Sequence, residues 1–230
     1  NDTTLFLSEM NRNKNDLYTR EKELLPLKKV YLWFKENLIV NYPGSELIPA
    51  SFFQDEDLPE FNKIIVSMGL GINRVEFVES TLEEVQKTLG PFSKEVTANI
   101  ERNIDHARKK GENKLSLIIR TLRNLFRITY NLKDLESQPE VKKLTFEQSR
   151  NHVRFEMEEE SDGTRRLVDL IEIILAAKAG VEKTYVIDEI NRCLHPQVTY
   201  RYISEYLDSL ENSKTQLIVT THESHLMDLN

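Results

Sequence analysis

Residues 184–196 read "TYVIDEINRCLHP". Thr184, Tyr185, Val186 and Ile187 suit a buried strand, and that strand runs straight into two carboxylates, Asp188 and Glu189. A dry strand that ends on two charges either surfaces there or delivers both acids to a site. The flanking segments set the fold around it. In "SDGTRRLVDLIEIILAAKAG" (161–180), Leu167, Leu170, Ile171, Ile174 and Leu175 share one helical face, with Gly180 as the terminator. "HPQVTYRYISEYLDSL" (195–210) reads as a helix and "TQLIVTTHE" (215–223) as a strand, while "VRFEMEEE" (153–160) alternates as a strand does. Strand, helix, strand with continuously apolar strands predicts an α/β fold with a parallel-sheet core.

Composition limits the function. The chain has 230 residues, enough for one large domain or two small ones, with 39% hydrophobic and 30% charged residues. A net charge of −7 argues against a protein that coats nucleic acid. No apolar run approaches the roughly 20 residues of a membrane helix. The single cysteine, Cys193, excludes an internal disulfide framework and fits a reducing cytoplasm.

The first half is less sharply patterned. Residues 3–10 read as a strand, 17–39 as a helix, and 58–68 as a helix that turns at Gly69 and Gly71 into a strand over 72–78. Residues 80–136 are expected to be mostly helical. Leu115, Ile118, Ile119, Leu122, Leu125 and Phe126 form an amphipathic stripe there. Arg102, Arg108, Lys109, Lys110, Lys114, Arg120, Arg123 and Arg127 lie on the opposite face, either solvated or turned toward nucleic acid. Residues 136–142 read as a linker.

The chemistry gathers at strand ends. Ligands of α/β sheets sit at the carboxyl ends of the strands. Asp188 and Glu189 occupy one such end, and Thr220, Thr221 and His222 occupy another. If the strands are neighbours, two carboxylates and an imidazole converge. That set suits phosphoryl transfer: one carboxylate serves Mg²⁺, its neighbour orients or deprotonates water, and the histidine reaches the terminal phosphate. Ser161 or Asp162 would cap the 161–180 helix, Gly163 would admit a ligand, and the first-turn N–H groups with Thr164 would attract an anion. Each feature alone has an ordinary explanation, as a capping acid, an N-cap loop or a structural histidine. Their order and spacing together are more specific.

The order "SDGT", "YVIDE", "LHP", "TTHESHL" resembles the ATPases of the ABC and SMC type. It is most similar to the AAA-annotated, RloA-like and OLD-related ATPases of bacterial anti-phage and abortive-infection systems, over residues 158–229. The resemblance implies ATP and Mg²⁺ as cofactors, with Asp188 acting on the metal, Glu189 as catalytic base and His222 at the γ-phosphate. Ser161, Asp162, Gly163 and Thr164 would stand at the signature, and His195, between Leu194 and Pro196, in the loop across the dimer interface. It further implies an ATP-sandwich homodimer or higher homo-oligomer, an effector partner (nuclease or toxin), room for nucleic-acid contact, and no membrane. Three segments are expected: 1–79 as the remainder of an N-terminal lobe, 80–145 as a helical insertion or arm, and 146–230 as the signature and acid lobe. No G-x-x-x-x-G-K-[ST] loop occurs among the seven glycines, and the family places that loop upstream of residues 3–10, so the expectation is that the chain begins after it. Two other readings stay open: a non-hydrolysing scaffold or degenerate subunit that restrains an effector, and a metal-dependent nuclease using Asp188, Glu189, His195, His222 and His225.

Overall fold

A computed structural model describes residues 17–43, 56–121, 124–134, 136–148, 153–211 and 213–228. The strand expected over 3–10 lies outside these residues, as do Leu122 and Arg123 of the stripe. In chain order the elements are α1 (Leu17–Arg20), α2 (Leu25–Glu36), β1 (Leu38–Asn41), α3 (Leu58–Ser67) and β2 (Ile72–Glu79). Then come α4 (Leu82–Leu89), α5 (Ser93–Lys109), β3 (Lys114–Arg120), β4 (Leu125–Asn131), β5 (Glu140–Gln148) and β6 (Arg154–Glu156). The last part holds α6 (Asp162–Lys178), β7 (Thr184–Ile187), α7 (Pro196–Asp208) and β8 (Gln216–Val219). Among the described residues no helix is long and apolar enough to cross a membrane.

The α/β class read from the sequence is the class of the structure. β1, β7 and β8 form a parallel sheet in that order, with Val40 opposite Val186 and Val186 opposite Ile218. A second, antiparallel sheet runs β2-β5-β4-β3, with β6 added beside β5. Helix α6 joins them. One apolar core contains Ile72 and Val75 of β2, Leu144 and Phe146 of β5, Leu167 to Ala177 of α6, and Tyr185 and Ile187 of β7. A smaller core covers the other face of the antiparallel sheet. There Val85 of α4 and Val96 and Ile100 of α5 meet Ile119, Phe126, Ile128 and Val141.

Helix α6 is well fixed at both ends. The Ser161 hydroxyl accepts the Thr164 N–H at 3.1 Å, as an N-cap does. At the other end Gly180 takes φ 65°, Gly180 N–H bonds Ala177 O and Val181 N–H bonds Ala176 O. This pair of bonds is the Schellman arrangement, which needs a residue at ease with positive φ.

Three sequence expectations fail. Residues 114–131 are a β-hairpin, not helix; only α4 and α5, over 82–109, are helical in the predicted manner. Ile118 faces the main core and Ile119 the smaller one, so apolar residues fall on both faces and imitate helical spacing. The basic face divides with it: Arg102, Arg108, Lys109, Lys110 and Lys114 stay exposed, but Arg120 pairs with Asp169 of α6, and buried Arg127 stacks on Phe77 with its guanidinium carbon 4.4 Å from the ring centre. The helix read over 17–39 stops at Glu36, and residues 38–41 form β1, whose apolar run was too short to separate from a helix end. Residues 140–142, read as linker, begin β5.

Two bonded networks tie the layers. Asp169 and Arg120 have side chains only 6% and 12% exposed. Asp169→Ala removes the carboxylate that faces the half-buried arginine, so it should cost about 3 kcal/mol in chemical denaturation, while Asp169→Leu with Arg120→Met should cost less. Lys143 of β5 donates to Glu84 of α4 at 2.5 Å and to Glu156 of β6 at 2.6 Å. Burial pushes Glu84 up, but the bonds from Lys143 and Ser80 outweigh it and hold the carboxyl below its usual range. A depressed carboxylate contributes stability above its unfolded pKa, near 4.3, and loses it as pH falls through the folded value. Melting temperature should therefore drop on acidification below about pH 4.3, and Glu84→Gln should blunt that drop while lowering the neutral-pH value.

Candidate functional site

The strand order places β7 in the centre of the parallel sheet, so its carboxyl end is flanked by the ends of both β1 and β8. Three successive backbone N–H groups are caught there. Asp188 N–H donates to Asn41 O at 2.9 Å, Glu189 N–H to the Thr220 hydroxyl at 2.8 Å, and Ile190 N–H to Thr220 O at 3.1 Å. The Thr220 hydroxyl in turn donates to Asp188 Oδ1 at 2.5 Å. Between these anchors Glu189 sits at φ 48°, in the left-handed region. That conformation costs a residue with a Cβ about 1–2 kcal/mol, and such strain gathers where surrounding bonds over-determine the backbone.

Glu189 and His222 are brought together: His222 Nε2 lies 3.5 Å from Glu189 Oε1, with the imidazole 83% exposed and the carboxyl side chain 40% exposed. Both groups are open to a ligand arriving from solvent. Thr221 faces the other way, donating to Asn191 Oδ1 at 3.1 Å and accepting the Glu223 N–H. The end of β8 therefore grips the acid-bearing loop at two consecutive threonines.

The residues of the "SDGT" turn take local roles as well. Ser161 is the N-cap of α6, and its hydroxyl lies 3.0 Å from that of Thr164. Asp162 is exposed and pairs with Arg165. Gly163 was expected to admit a ligand; the close neighbour it admits here is internal. A Cβ built on it would stand 2.6 Å from the Cys193 carbonyl oxygen. His195 caps α7, its Nδ1 accepting the Gln197 N–H at 3.2 Å, which assigns the neutral ring's proton to Nε2. A path of bonds connects α6 to the acids: Arg166 donates to Asn41 Oδ1 at 2.6 Å, and Asn41 O holds Asp188. Burial pulls the Arg166 guanidinium below its ordinary pKa.

Asn41 and Arg166 belong to the site's construction although neither was singled out in the sequence, and Thr220, inside "TTHESHL", belongs to it as well. Thr220 carried one signal, its place at a strand end two residues before His222. Asn41 carried none, since it lies 147 positions before Asp188, on a strand whose first two residues were read as the end of a helix. No group of three or more His, Cys, Asp or Glu side chains among the described residues can hold a metal ion. The nuclease reading through Asp188, Glu189, His195, His222 and His225 thus lacks its ligand set. A single carboxylate beside a hydroxyl, Asp188 with Thr220, suits a hard cation that keeps most of its water.

This α/β architecture is consistent with an ATPase-type domain. Residues 11–228 match the family described as "AAA domain, putative AbiEii toxin, Type IV TA system", and the chain belongs to that family. Membership makes it an ATPase-type, nucleotide-binding domain in general class. No curated protein and no solved structure matches it.

The Gly163 contact yields a direct test. Gly163→Ala forces either the α6 N-terminus or the Cys193 turn to move, and overpacking against backbone typically costs about 1–3 kcal/mol. The variant should melt lower and be cleaved faster by protease within residues 189–195, whereas Asp162→Ala, at an exposed position, should leave both unchanged.

Proposed function

We propose that the chain is the signature-and-acid part of an ABC/SMC-type ATPase that uses ATP binding and hydrolysis as a switch. The observation that carries this reading is the bonded convergence of Asp188, Glu189, Thr220 and His222 at the ends of adjacent parallel strands. A strained, solvent-open glutamate beside an exposed imidazole suits a group that must meet water and phosphate rather than close a core.

In this reading Asp188, supported by the Thr220 hydroxyl, would hold Mg²⁺, and the ion would supply charge neutralisation for the reacting phosphates. Glu189 orients the attacking water and takes its proton. His222, with Nε2 toward the same opening, hydrogen-bonds the γ-phosphate. Ser161, Asp162, Gly163 and Thr164, with His195 in the following loop, face the nucleotide of a second copy, so that two chains complete each site. The exposed Ser161, Asp162 and His195 support that assignment, while Thr164 is buried and acts through the Ser161 cap. The family's toxin–antitoxin description, together with the resemblance of the motif order to RloA-like and OLD-related ATPases, favours a defence role in which nucleotide state controls an effector such as a nuclease or toxin.

The test is Mg²⁺-dependent ATP hydrolysis by the full-length protein beside a Glu189→Gln variant, with mass in solution measured with and without ATP. Hydrolysis should fall at least about 100-fold in the variant, the usual worth of a positioned base. ATP binding should persist and an ATP-stabilised oligomer should accumulate. A wild type that binds ATP without hydrolysing it would instead make the chain a scaffold, and one that does neither would end the ATPase reading.

A further inference from the structure

Thr220 occupies an unusual position among the polar residues at the sheet's carboxyl edge. One hydroxyl makes two bonds to two consecutive acids: it accepts the Glu189 N–H at 2.8 Å and donates to Asp188 Oδ1 at 2.5 Å. Its carbonyl takes the next N–H, that of Ile190, and its own N–H returns to Ile187 O at 3.1 Å. Glu189, at φ 48°, is held between these bonds. Main-chain anchors fix the residues on either side, but the Glu189 N–H itself is fixed by the Thr220 side chain. Without that hydroxyl the Glu189 N–H loses its partner and the Arg192 N–H bond to Glu189 O, at 2.9 Å, is left to hold that residue's own backbone, so the left-handed conformation can relax and shift the Glu189 carboxyl from its place 3.5 Å from His222.

We infer that Thr220 is a positioning residue that fixes the backbone of Glu189, and the orientation of Asp188, from the strand that carries His222. The inference rests on the hydrolytic reading above and adds to it the means by which the acid pair and the histidine stay in register. Thr220 lies two residues before His222, and Thr221 between them grips Asn191 of the acid loop. A displacement of the His222 turn is therefore transmitted to Glu189 through one hydroxyl and one strand end. The bonds of Thr220 are exposed to solvent, where water competes for the same groups. The hydroxyl is accordingly suited to setting geometry and contributes little to global stability.

The experiment compares the full-length wild type with Thr220→Val, Thr220→Ser, Glu189→Gln and the double variant Thr220→Val/Glu189→Gln, in ATP turnover and thermal melting. Valine keeps the shape and loses the hydroxyl. It should lower kcat about 10- to 100-fold, the scale of a slight misplacement of a reacting group, with KM for ATP changed less than about threefold. Serine restores the hydroxyl and should recover kcat to within a few-fold of wild type. In the Glu189→Gln background the valine change should add nothing, because the carboxylate it positions is gone. A wild-type kcat in Thr220→Val, a serine variant as slow as the valine one, or an equal further loss in the double variant would each overturn the inference while leaving the ATPase reading intact. If the valine variant unfolds and the serine variant does not, the hydroxyl is structural and the inference fails. No turnover by the wild type removes the hydrolytic reading first, and this one with it.

Discussion

Helix α6 has almost no solvent face, and the rest of the molecule is arranged around that constraint. From Leu167 to Ala177 every residue is buried, including Asp169 and Glu172. A helix apolar all round must be covered all round. The antiparallel sheet covers one side and the parallel sheet the other, with α3 and α7 closing the flanks through Phe61, Ile64, Ile65, Val198 and Tyr202. The charge at Asp169 is met by Arg120, and the Tyr202 hydroxyl donates to Leu170 O at 2.9 Å, so these two polar groups brought inside with the helix are paired across layers. Because α6 cannot shift without unpacking both sheets, its N-terminal turn is held at the edge where β7 ends.

The part of the fold that was legible in the sequence is the part where burial is one-sided or sequence-local. α6, β7, α7 and β8 follow one another with short connections, and their caps (Ser161, Gly180, Pro196) punctuate them as elementary backbone preferences require. The β3-β4 hairpin was not legible because the antiparallel sheet is a middle layer. Leu125 and Phe126 are adjacent and both fully buried, one in each core, which erases the alternation that identifies a half-exposed strand. β1 failed for a different reason: the four residues of parallel strand, Leu38–Asn41, pair with β7, nearly 150 positions along the chain. No local pattern records such a partner.

The same division runs through the candidate site. Asp188, Glu189 and His222 stand out because their residue types are costly at the end of apolar strands. The groups that hold them do not stand out: a threonine, an asparagine carbonyl and a half-buried arginine are common anywhere. Their importance comes from register, Asn41 beside Ile187 on one side and Val219, just before Thr220, beside it on the other. The left-handed backbone of Glu189 was equally invisible, since nothing in the residue type favours it. Acids are therefore readable as candidates from sequence, while the machinery that aims them is a property of the assembled sheet.

The missing side chain of Gly163 has a consequence for how this domain tolerates change. Its Cα rests against the carbonyl of Cys193, itself held at φ 63° in the loop that follows the acids. The turn that starts α6 and the turn that ends the acid loop are thus two sides of one contact with no room to spare. Neither can accumulate substitutions independently: a larger residue at 163 must be matched by a shift of the 189–195 loop, which also carries Glu189 and His195. Loss of activity in a Gly163 variant consequently reports the shape of its own chain's acid loop before it reports any lost contact to nucleotide or to a second copy. The neighbouring exposed Asp162, free of that contact, is the position at which such a contact can be altered by itself.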